Sequence, residues 1–412
     1  MKKLLVSVFS FLLCLSIINA KEVSLNSKRY ILYNLNENKV IDSNREHERI
    51  SIASLTKMMT VIVSIEKVKD LDKKITITSE MVDSIPWDVM KFGFKKGDVV
   101  TYRDLLYAAI LPSAADAIYG LEISISGSEK AFVKLMNDKV KELGLKDTKF
   151  ANGVGLYDDN NYSSAYDVAQ ILEYGLKNET FKKVFTTKKY KMTNGKTLNS
   201  TLYYYGKKID EDISFIRGSK TGFIDESGYC LASISSINGV DYLFVSLNAN
   251  KTPQHIEDHI KEYKYFSKNY SYKEIVNPED KMLTLSTKYA KEKSIDIYAN
   301  VYKKVYLKND FKKEDLVFEY NGIKEQTYFN KKKLLGHMTI KYNDKVLDEF
   351  DLFNDTKLHF DIIDYLKSNK KILAIIICSL LGFMGLIVLM IKKILNLKVD
   401  IKKIKSYNRN RS

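Results

Sequence analysis

The chain has 412 residues, 45% of them hydrophobic, and a formal net charge of +15. Its length allows two domains with substantial cores, and this composition excludes an intrinsically disordered chain. Residues 392–412 carry +7 of the charge and residues 1–20 carry +2. The remaining +6 is too small and too dispersed to indicate a nucleic-acid-binding surface.

The N-terminus has the pattern of a secretory signal peptide over residues 1–20. Lys2 and Lys3 precede an apolar run, and a short segment that ends at Ala20 forms a candidate cleavage region. The mature chain is then expected to begin near Lys21. An uncleaved N-terminal anchor is the alternative, because Ile18 is larger than the small residue that a cleavage site favours three positions before the cut.

Residues 21–270 mix helical and strand patterns and are expected to form one domain. A hairpin is expected to turn at residues 36–38. Apolar residues recur at helical spacing over 54–67, 102–123, 129–143, 164–176 and 253–270, and strand-like runs occupy 215–222, 228–237 and 241–249. Strands at both ends of the domain around a helical middle predict an α+β fold with one antiparallel sheet.

Residues 274–355 change to short runs of alternating polar and apolar residues. This texture predicts a small, β-sandwich-like domain, which would lie between the first domain and the segment that follows. Cys230 is the one cysteine between residues 21 and 371. No disulfide is therefore expected in this part of the chain.

Residues 372–391 carry no charge and are long enough to cross about 30 Å of hydrocarbon as a helix. The segment after them, 392–412, contains eight Lys or Arg and one Asp. The positive-inside rule therefore predicts a single-pass protein of the cell membrane with a cytoplasmic tail and with residues 21–371 outside. Anionic lipid at the inner surface is the expected partner of the basic tail.

A candidate nucleophile lies in the run SIASLTKMMT, where Lys57 follows Ser54 by one helical turn. Serine attacks a carbonyl only after a base takes its proton, and a lysine of lowered pKa can be that base. The spacing alone identifies nothing, because the chain contains two further Ser-x-x-Lys matches, Ser64/Lys67 and Ser368/Lys371.

Two later motifs change the meaning of this pair. Ser113 lies in LPSAADA, and Lys220-Thr221-Gly222 occurs once, in a predicted strand. Ser-x-x-Lys, a second serine motif and Lys-Thr-Gly in this order are the signature of penicillin-binding proteins and serine β-lactamases.

The sequence around these motifs narrows the family. The runs RYILYNLNENKVIDSN, TYRDLLYAAILPSAADA, FANGVGLYDDNNYSSAYDVAQIL and KTGFIDESGYCLAS closely resemble the D-alanyl-D-alanine carboxypeptidases, or low-molecular-weight penicillin-binding proteins, over residues 28–268. The resemblance implies a penicillin-binding/serine β-lactamase-like domain with helices on both faces of its sheet. It also implies that the D-Ala-D-Ala end of peptidoglycan stem peptides is the substrate, that β-lactam antibiotics bind, and that neither cofactor nor metal is used.

The resemblance also implies the catalytic roles. Ser54 would attack the carbonyl between the two terminal D-alanines, Lys57 would accept its proton, and Ser113 would relay a proton to the leaving amine. The oxyanion would be held by the backbone N–H groups of Ser54 and Phe223.

Substrate binding is assigned by the same resemblance to the third motif. Lys220 and Thr221 would bind the terminal carboxylate, while Gly222 would let the substrate backbone lie along the strand. One position departs from the family, because Ala115 stands where the middle motif has an asparagine that contacts the substrate. The departure predicts weaker positioning of the substrate while leaving the nucleophile in place.

Two rival functions remain open at this point. The first rival is a serine β-lactamase. A class A β-lactamase needs a Glu on a loop after the middle motif, but the corresponding run here, FANGVGLYDDNN, contains no Glu-x-x-Leu-Asn. A catalytically weak wall-binding scaffold is the second rival, motivated by Ala115.

His255 and His259, four apart on a predicted helix, are expected to lie on a solvated face rather than to bind zinc. The motifs specify neither the balance of carboxypeptidase and endopeptidase activity nor the oligomeric state.

Overall fold

A computed structural model describes residues 23–83, 85–87, 89–207, 209–330 and 333–409. The predicted signal peptide, residues 1–20, lies outside the described residues. The chain divides into two compact units, with the boundary between Asn269 and Tyr270.

The first unit mixes strands and helices along the chain. Its strands are β1 (Arg29–Asn34), β2 (Lys39–Asn44), β3 (Lys74–Thr76), β4 (Val99–Thr101), β5 (Lys189–Lys191), β6 (Thr197–Asn199), β7 (Ile216–Ile224), β8 (Gly228–Ile237) and β9 (Val240–Ala249). Its helices are α1 (Lys57–Lys67), α2 (Tyr102–Ile110), α3 (Ala115–Ser126), α4 (Glu129–Glu142), α5 (Ala165–Leu176), α6 (Glu179–Thr186), α7 (Thr201–Gly206) and α8 (Gln254–Asn269).

The main sheet has the order β2-β1-β9-β8-β7, and each neighbouring pair is antiparallel. The N-terminal hairpin joins the C-terminal strands through β1 and β9, where Tyr30 pairs with Ser246. The expectation of one sheet built from both ends of the domain is confirmed. The third motif lies on β7, at the edge of this sheet.

Successive side chains of a strand point to opposite faces of the sheet, and in its central strands both sets of side chains are largely apolar. Helices therefore cover both faces. On β9, Leu243 and Val245 belong to the main hydrophobic core, to which α1, α2, α3 and α5 also contribute. Phe244 points to the opposite face, where its ring lies 4.3 Å from that of His259 on α8. The predicted fold class, an antiparallel sheet with helices on both faces, is confirmed.

The helix expected over residues 102–123 is in fact two helices, α2 and α3. Pro112 has no backbone N–H, and its ring would clash with the carbonyl of Ala108 if the helix continued. The carbonyl of Ala108 instead accepts from the N–H of Ala114 at 3.0 Å. Ser113 adopts a φ of 64° in this connection, so the second serine motif lies between helices rather than inside one.

The second unit is a small β domain followed by helices. It contains β10 (Tyr270–Val276), β11 (Lys281–Lys288), β12 (Ser294–Tyr298), β13 (Lys303–Lys308), β14 (Val317–Gly322), β15 (Glu325–Thr327), β16 (Leu334–Tyr342), β17 (Lys345–Phe353), α9 (Ile362–Ser368) and α10 (Lys370–Arg409). Three small sheets, β10-β13, β12-β11-β15 and β14-β16-β17, share one apolar core.

The C-terminal helix α10 contains the apolar segment noted in the sequence. Within the described residues, the stretch Lys370–Lys403 has a mean hydropathy of 3.0 in its most apolar window, and none of that window is buried. This helix is long and apolar enough to cross a membrane. A helix of this composition with no protein around it is consistent with a membrane anchor.

Candidate active site

Ser54 and Lys57 lie at the start of the central helix. The 3₁₀ turn Ala53–Thr56 carries the serine, and α1 begins at the lysine. Lys57 Nζ donates hydrogen bonds to Ser54 Oγ at 2.7 Å and to the carbonyl oxygen of Val154 at 2.7 Å. Its side chain is 1% exposed, so water has little access to the amine, which bonds instead to the serine hydroxyl and this carbonyl.

The turn that presents Ser54 is held in an unusual backbone conformation. Ala53 has a φ of 47°, which is uncommon for a residue with a side chain. Gly155 packs against this turn with a φ of 91°, and a Cβ at Gly155 would overlap the carbonyl oxygen of Ala53. The glycine therefore allows the loop after α4 to reach the turn that carries Ser54.

Burial changes the protonation of Lys57. Removal from water lowers the pKa of its amine to about 7, while the charge of Glu122 acts in the opposite direction. Near neutral pH a substantial fraction of the amine is then uncharged. An uncharged amine 2.7 Å from a serine hydroxyl can accept the hydroxyl proton.

Lys220 and Ser113 form a second lysine–serine pair. Lys220 is fully buried on β7, and its Nζ donates to Ser113 Oγ at 2.8 Å and to the carbonyl oxygen of Thr221 at 2.7 Å. Burial lowers the pKa of Lys220 well below its usual value, and the charge of Lys57 lowers it further. The structure thus couples the second and third motifs, which lie 107 positions apart in the sequence.

The next two residues of β7 form one wall of the site. Thr221 Oγ1 lies 2.7 Å from Thr201 Oγ1. A Cβ at Gly222 would lie only 3.1 Å from the carbonyl oxygen of Ile52 and 3.2 Å from the backbone nitrogen of Ser54. The edge strand therefore lies against the turn that carries Ser54, at a distance that favours glycine.

These elements enclose a cavity of about 260 Å³. Ser54, Lys57, Ser113, Thr221, Gly222 and Phe223 all line it, and the Phe223 side chain is half exposed. Lys220 lies buried beside the cavity through its bond to Ser113. Ala115 does not line it; this residue is buried in the core at the start of α3, and its N–H donates to the carbonyl oxygen of Met90.

Several lining residues were not identified from the sequence. Thr201, Val154, Tyr229 and His255 all contribute to the cavity wall. Tyr229 stacks on Phe223, with ring centroids 4.3 Å apart, and on His255 at 5.3 Å. No local motif marks these positions, because they meet only when the loop after α4, α7, the sheet and α8 pack together.

The prediction that His255 and His259 lie on a solvated helix face is wrong. Both are buried, because α8 packs this side against the sheet. The two ring nitrogens of His259 lie 2.7 Å from Ser233 Oγ and 3.1 Å from Ser246 Oγ. Within the part of the chain that the structure describes, no group of three His, Cys, Asp or Glu side chains is placed to hold a metal ion.

Comparison with known proteins identifies the family. The model of the D-alanyl-D-alanine carboxypeptidase family, peptidase S11, matches residues 17–251. The chain belongs to this family. It is therefore a serine peptidase of the D-Ala-D-Ala carboxypeptidase type, as the resemblance of its motifs implied.

Individual members of the family support this assignment. The D-alanyl-D-alanine carboxypeptidase DacF of Bacillus subtilis is 29% identical over 313 residues, which cover 71% of this chain and 77% of the relative. A D-alanyl-D-alanine endopeptidase of Haemophilus influenzae is 30% identical over 51% of this chain and 70% of its own length. Penicillin-binding protein 5 of Haemophilus influenzae shares the fold, with a TM-score of 0.61 and 22% identity over 82% of this chain and 98% of its own.

Proposed function

We propose that this carboxypeptidase removes the terminal D-alanine from peptidoglycan stem pentapeptides through an acyl-enzyme on Ser54. The observation that carries the proposal is the 2.7 Å hydrogen bond between Ser54 Oγ and the buried amine of Lys57. A buried base of lowered pKa beside a serine is the arrangement that makes a serine nucleophilic.

Acylation follows from this pair. Ser54 Oγ attacks the carbonyl carbon between the two D-alanines while its proton passes to Lys57 Nζ. The backbone N–H groups of Ser54 and Phe223 stabilise the oxyanion. The C–N bond then breaks, the proton is transferred to the leaving nitrogen, and D-alanine departs while the remaining acyl group stays on Ser54.

Ser113 is proposed to carry the proton to the leaving amine. Its hydroxyl is held at 2.8 Å by Lys220, and it lines the same cavity as Ser54 and Lys57. Because Lys220 donates to the hydroxyl oxygen, the hydroxyl proton of Ser113 is free to point into the cavity. Ser113 can then give this proton to the amine and regain one from Lys57.

The edge strand β7 is proposed to bind the substrate. Lys220 supplies N–H donors for the terminal carboxylate, and a positive charge once the bound carboxylate offsets its burial. Thr221 supplies a hydroxyl for the same carboxylate, and Gly222 leaves room for the peptide backbone beside the strand. A peptide that adds to the open edge of a sheet gains backbone hydrogen bonds. Ala115 does not line the cavity and offers no side-chain hydrogen bond, so we propose that the substrate is positioned more weakly here than by the asparagine of the family motif.

Deacylation completes the cycle. Water attacks the ester carbonyl with Lys57 as the base, the bond to Ser54 Oγ breaks, and the serine regains its proton. The shortened peptide leaves with a new carboxylate. A β-lactam is proposed to acylate Ser54 in the same way; its opened ring stays tethered to the acyl group, so the leaving nitrogen cannot diffuse out of the site.

The membrane arrangement is a further part of the proposal. The apolar part of α10 would anchor the protein by a single pass, with residues 392–412 in the cytoplasm, because the positive-inside rule favours this orientation for a basic tail. Residues 21–270 would form the peptidase domain and 274–355 a spacer. The catalytic cavity would then face the cell wall, where the stem peptides are.

The test measures D-alanine release by the full-length protein in detergent from a stem pentapeptide. We expect one equivalent of D-alanine per peptide and none with Ser54→Ala. A crosslinked dimer peptide in a parallel assay separates endopeptidase activity, which the similarity to the endopeptidase of Haemophilus influenzae makes worth measuring. Penicillin binding without release from either substrate would support the wall-binding scaffold, and rapid turnover of penicillin would support the β-lactamase.

A further inference from the structure

Glu122 is a buried acid that the proposed mechanism does not use. It lies on α3, is fully buried, and neither oxygen of its carboxyl makes a hydrogen bond of good geometry among the described residues. An ionised carboxylate in such a place is strongly unfavourable unless a charge nearby compensates. The burial of Glu122 therefore raises the question of which nearby charge compensates its carboxylate.

The loop after α4 brings Glu122 and Lys57 to neighbouring positions. A Cβ at Gly153 would overlap the Glu122 carboxyl, so the acid packs directly on this glycine. The next residue, Val154, accepts the hydrogen bond of Lys57 Nζ through its carbonyl oxygen. On the other side of the loop, Thr60 Oγ1 donates to the carbonyl oxygen of Gly153 at 2.8 Å.

The helices place both groups on facing sides. Lys57 and Thr60 are three residues apart and share one face of α1, and α1 packs against α3 in the core. On α3, Glu122 lies two helical turns after Ala115 on the same face. The face of α3 that begins with the apolar Ala115 thus carries the carboxyl of Glu122 two turns later.

The charged groups around Glu122 have opposite effects on it. Lys57 on α1 favours the carboxylate, and so does the N–H of Gly153, whereas Glu129 on α4 opposes it. Burial is the largest influence and raises the pKa of Glu122 well above its usual value. Its protonation is therefore tied to the charge on Lys57, as for any closely coupled pair of buried groups.

We propose that Glu122 is a positioning residue whose carboxylate, favoured when Lys57 is protonated, stabilises the lysinium that forms when Ser54 gives up its proton. The inference rests on the proposed role of Lys57 as the base. Glu122 touches neither substrate nor the reacting atoms. It acts through the amine that does.

The test is the pH dependence of acylation by a fluorescent penicillin in Glu122→Gln. Glutamine keeps the size of the side chain but cannot form the carboxylate that favours protonated Lys57, so the pKa of Lys57 falls. We expect the acidic limb of the profile to move to lower pH by about one unit. The plateau rate should also fall, by at most about tenfold, because an amine of lower pKa is a weaker base.

Two further variants separate charge from packing. Glu122→Met also removes the charge at similar volume and should move the limb in the same direction. Glu173→Gln removes another mostly buried carboxylate, one that is paired with Lys177 at 2.8 Å, and should leave the limb unchanged. An acidic limb that moves in neither Glu122 variant would overturn the inference.

A second readout does not depend on catalysis. The Cε resonance of Lys57, assigned by its loss in Lys57→Arg, should titrate at lower pH in Glu122→Gln than in the unchanged protein. If this midpoint moves but Ser54 is never acylated, the proposed function fails and the coupling stands. If Ser54 is acylated and the midpoint does not move, the coupling alone is wrong.

Discussion

A lysine works as a general base near neutral pH only if its surroundings lower its pKa toward the working pH. Lys57 meets this condition because its side chain is 1% exposed and its amine lies in the core at the start of α1. The hydrogen bonds to Ser54 and Val154 hold the amine in place. At the scale of single residues, burial of this amine is the feature on which the chemistry depends.

The pH dependence of acylation follows from the same residue. Because the pKa of Lys57 is lowered to about 7, the amine is mostly protonated below this pH and mostly neutral above it. We expect the second-order constant for penicillin acylation to rise tenfold per pH unit below about pH 7 and then to level off. A constant that is flat from about pH 5 to about pH 9 would contradict the role of Lys57 as the base.

The substitution Ala115→Asn tests the departure from the family motif. Ala115 is fully buried in the core and does not line the cavity, so the larger side chain should cost about 1–3 kcal/mol of unfolding free energy through overpacking. We expect lower thermal stability and no faster acylation. Ala117→Asn, at another fully buried alanine of α3, is the matched control for overpacking alone.

A different result at this position would be informative. A well-placed amide in a dry site is worth about 1–3 kcal/mol, which is roughly ten- to a hundredfold in rate if it is felt only in the transition state. Acylation that speeds up in Ala115→Asn but not in Ala117→Asn would show that the missing amide limits this enzyme.

Among the elements of the first unit, the strands of the main sheet and the longer helices could be predicted from the sequence, because each has a local pattern. The hairpin β1-β2 and the motif strand β7 are examples, whereas the short strands β3–β6 and the short helices α6 and α7 were not predicted. The break between α2 and α3 was missed because the apolar periodicity continues through Pro112. The conformation of Ser113 depends on the packing around its contact with Lys220, 107 residues later, and no local pattern reports such a contact.

The candidate site also has parts that the sequence predicts and parts that it does not. The three motifs are short enough to find by eye, whereas Thr201 and His255 have no motif and reach the cavity only through the packing of α7 and α8. Glu122 is one of two acids in the mostly apolar helix α3, and its chemical meaning is clear only once its neighbours in the fold are known.

At the scale of elements, the loop after α4 should be as important to the site as the motif helices. Gly155→Ala would place a Cβ over the carbonyl oxygen of Ala53 at a φ of 91°. Displacement of the turn that carries Ser54 should lower the acylation constant by at least tenfold, at a strain of about 1–3 kcal/mol. Acylation kinetics and thermal unfolding of the same samples measure both effects.

Gly195→Ala is the matched control for this change. Gly195 also has a positive φ, 84°, but a Cβ there would meet nothing within 4 Å. It should therefore lose stability through backbone strain while acylating normally. Normal acylation by the Gly155 variant would mean that the turn tolerates displacement, contrary to the role given to this loop.

At the scale of the whole molecule, the first unit contains the candidate active site and the second unit contains the candidate membrane anchor. Every residue that lines the candidate active-site cavity belongs to the first unit, and the most apolar window of α10 is not buried. A protein that ends at Asn369 should then be soluble without detergent and should acylate at the rate of the full chain. Membrane fractionation and acylation kinetics test both halves of this expectation. A truncated protein that is folded but inactive would show that α10 takes part in the site.

The central claim is that Ser54 is the nucleophile, and the most direct measurement is the mass and position of the penicillin adduct on the intact protein. We expect one adduct, on the peptide that contains Ser54, and none in Ser54→Ala. Ser64→Ala, which changes another Ser-x-x-Lys serine whose hydroxyl bonds to the carbonyl of Thr60, should label as the unchanged protein does. An adduct that persists in Ser54→Ala, or that maps to Ser113 or any other residue, would contradict the account.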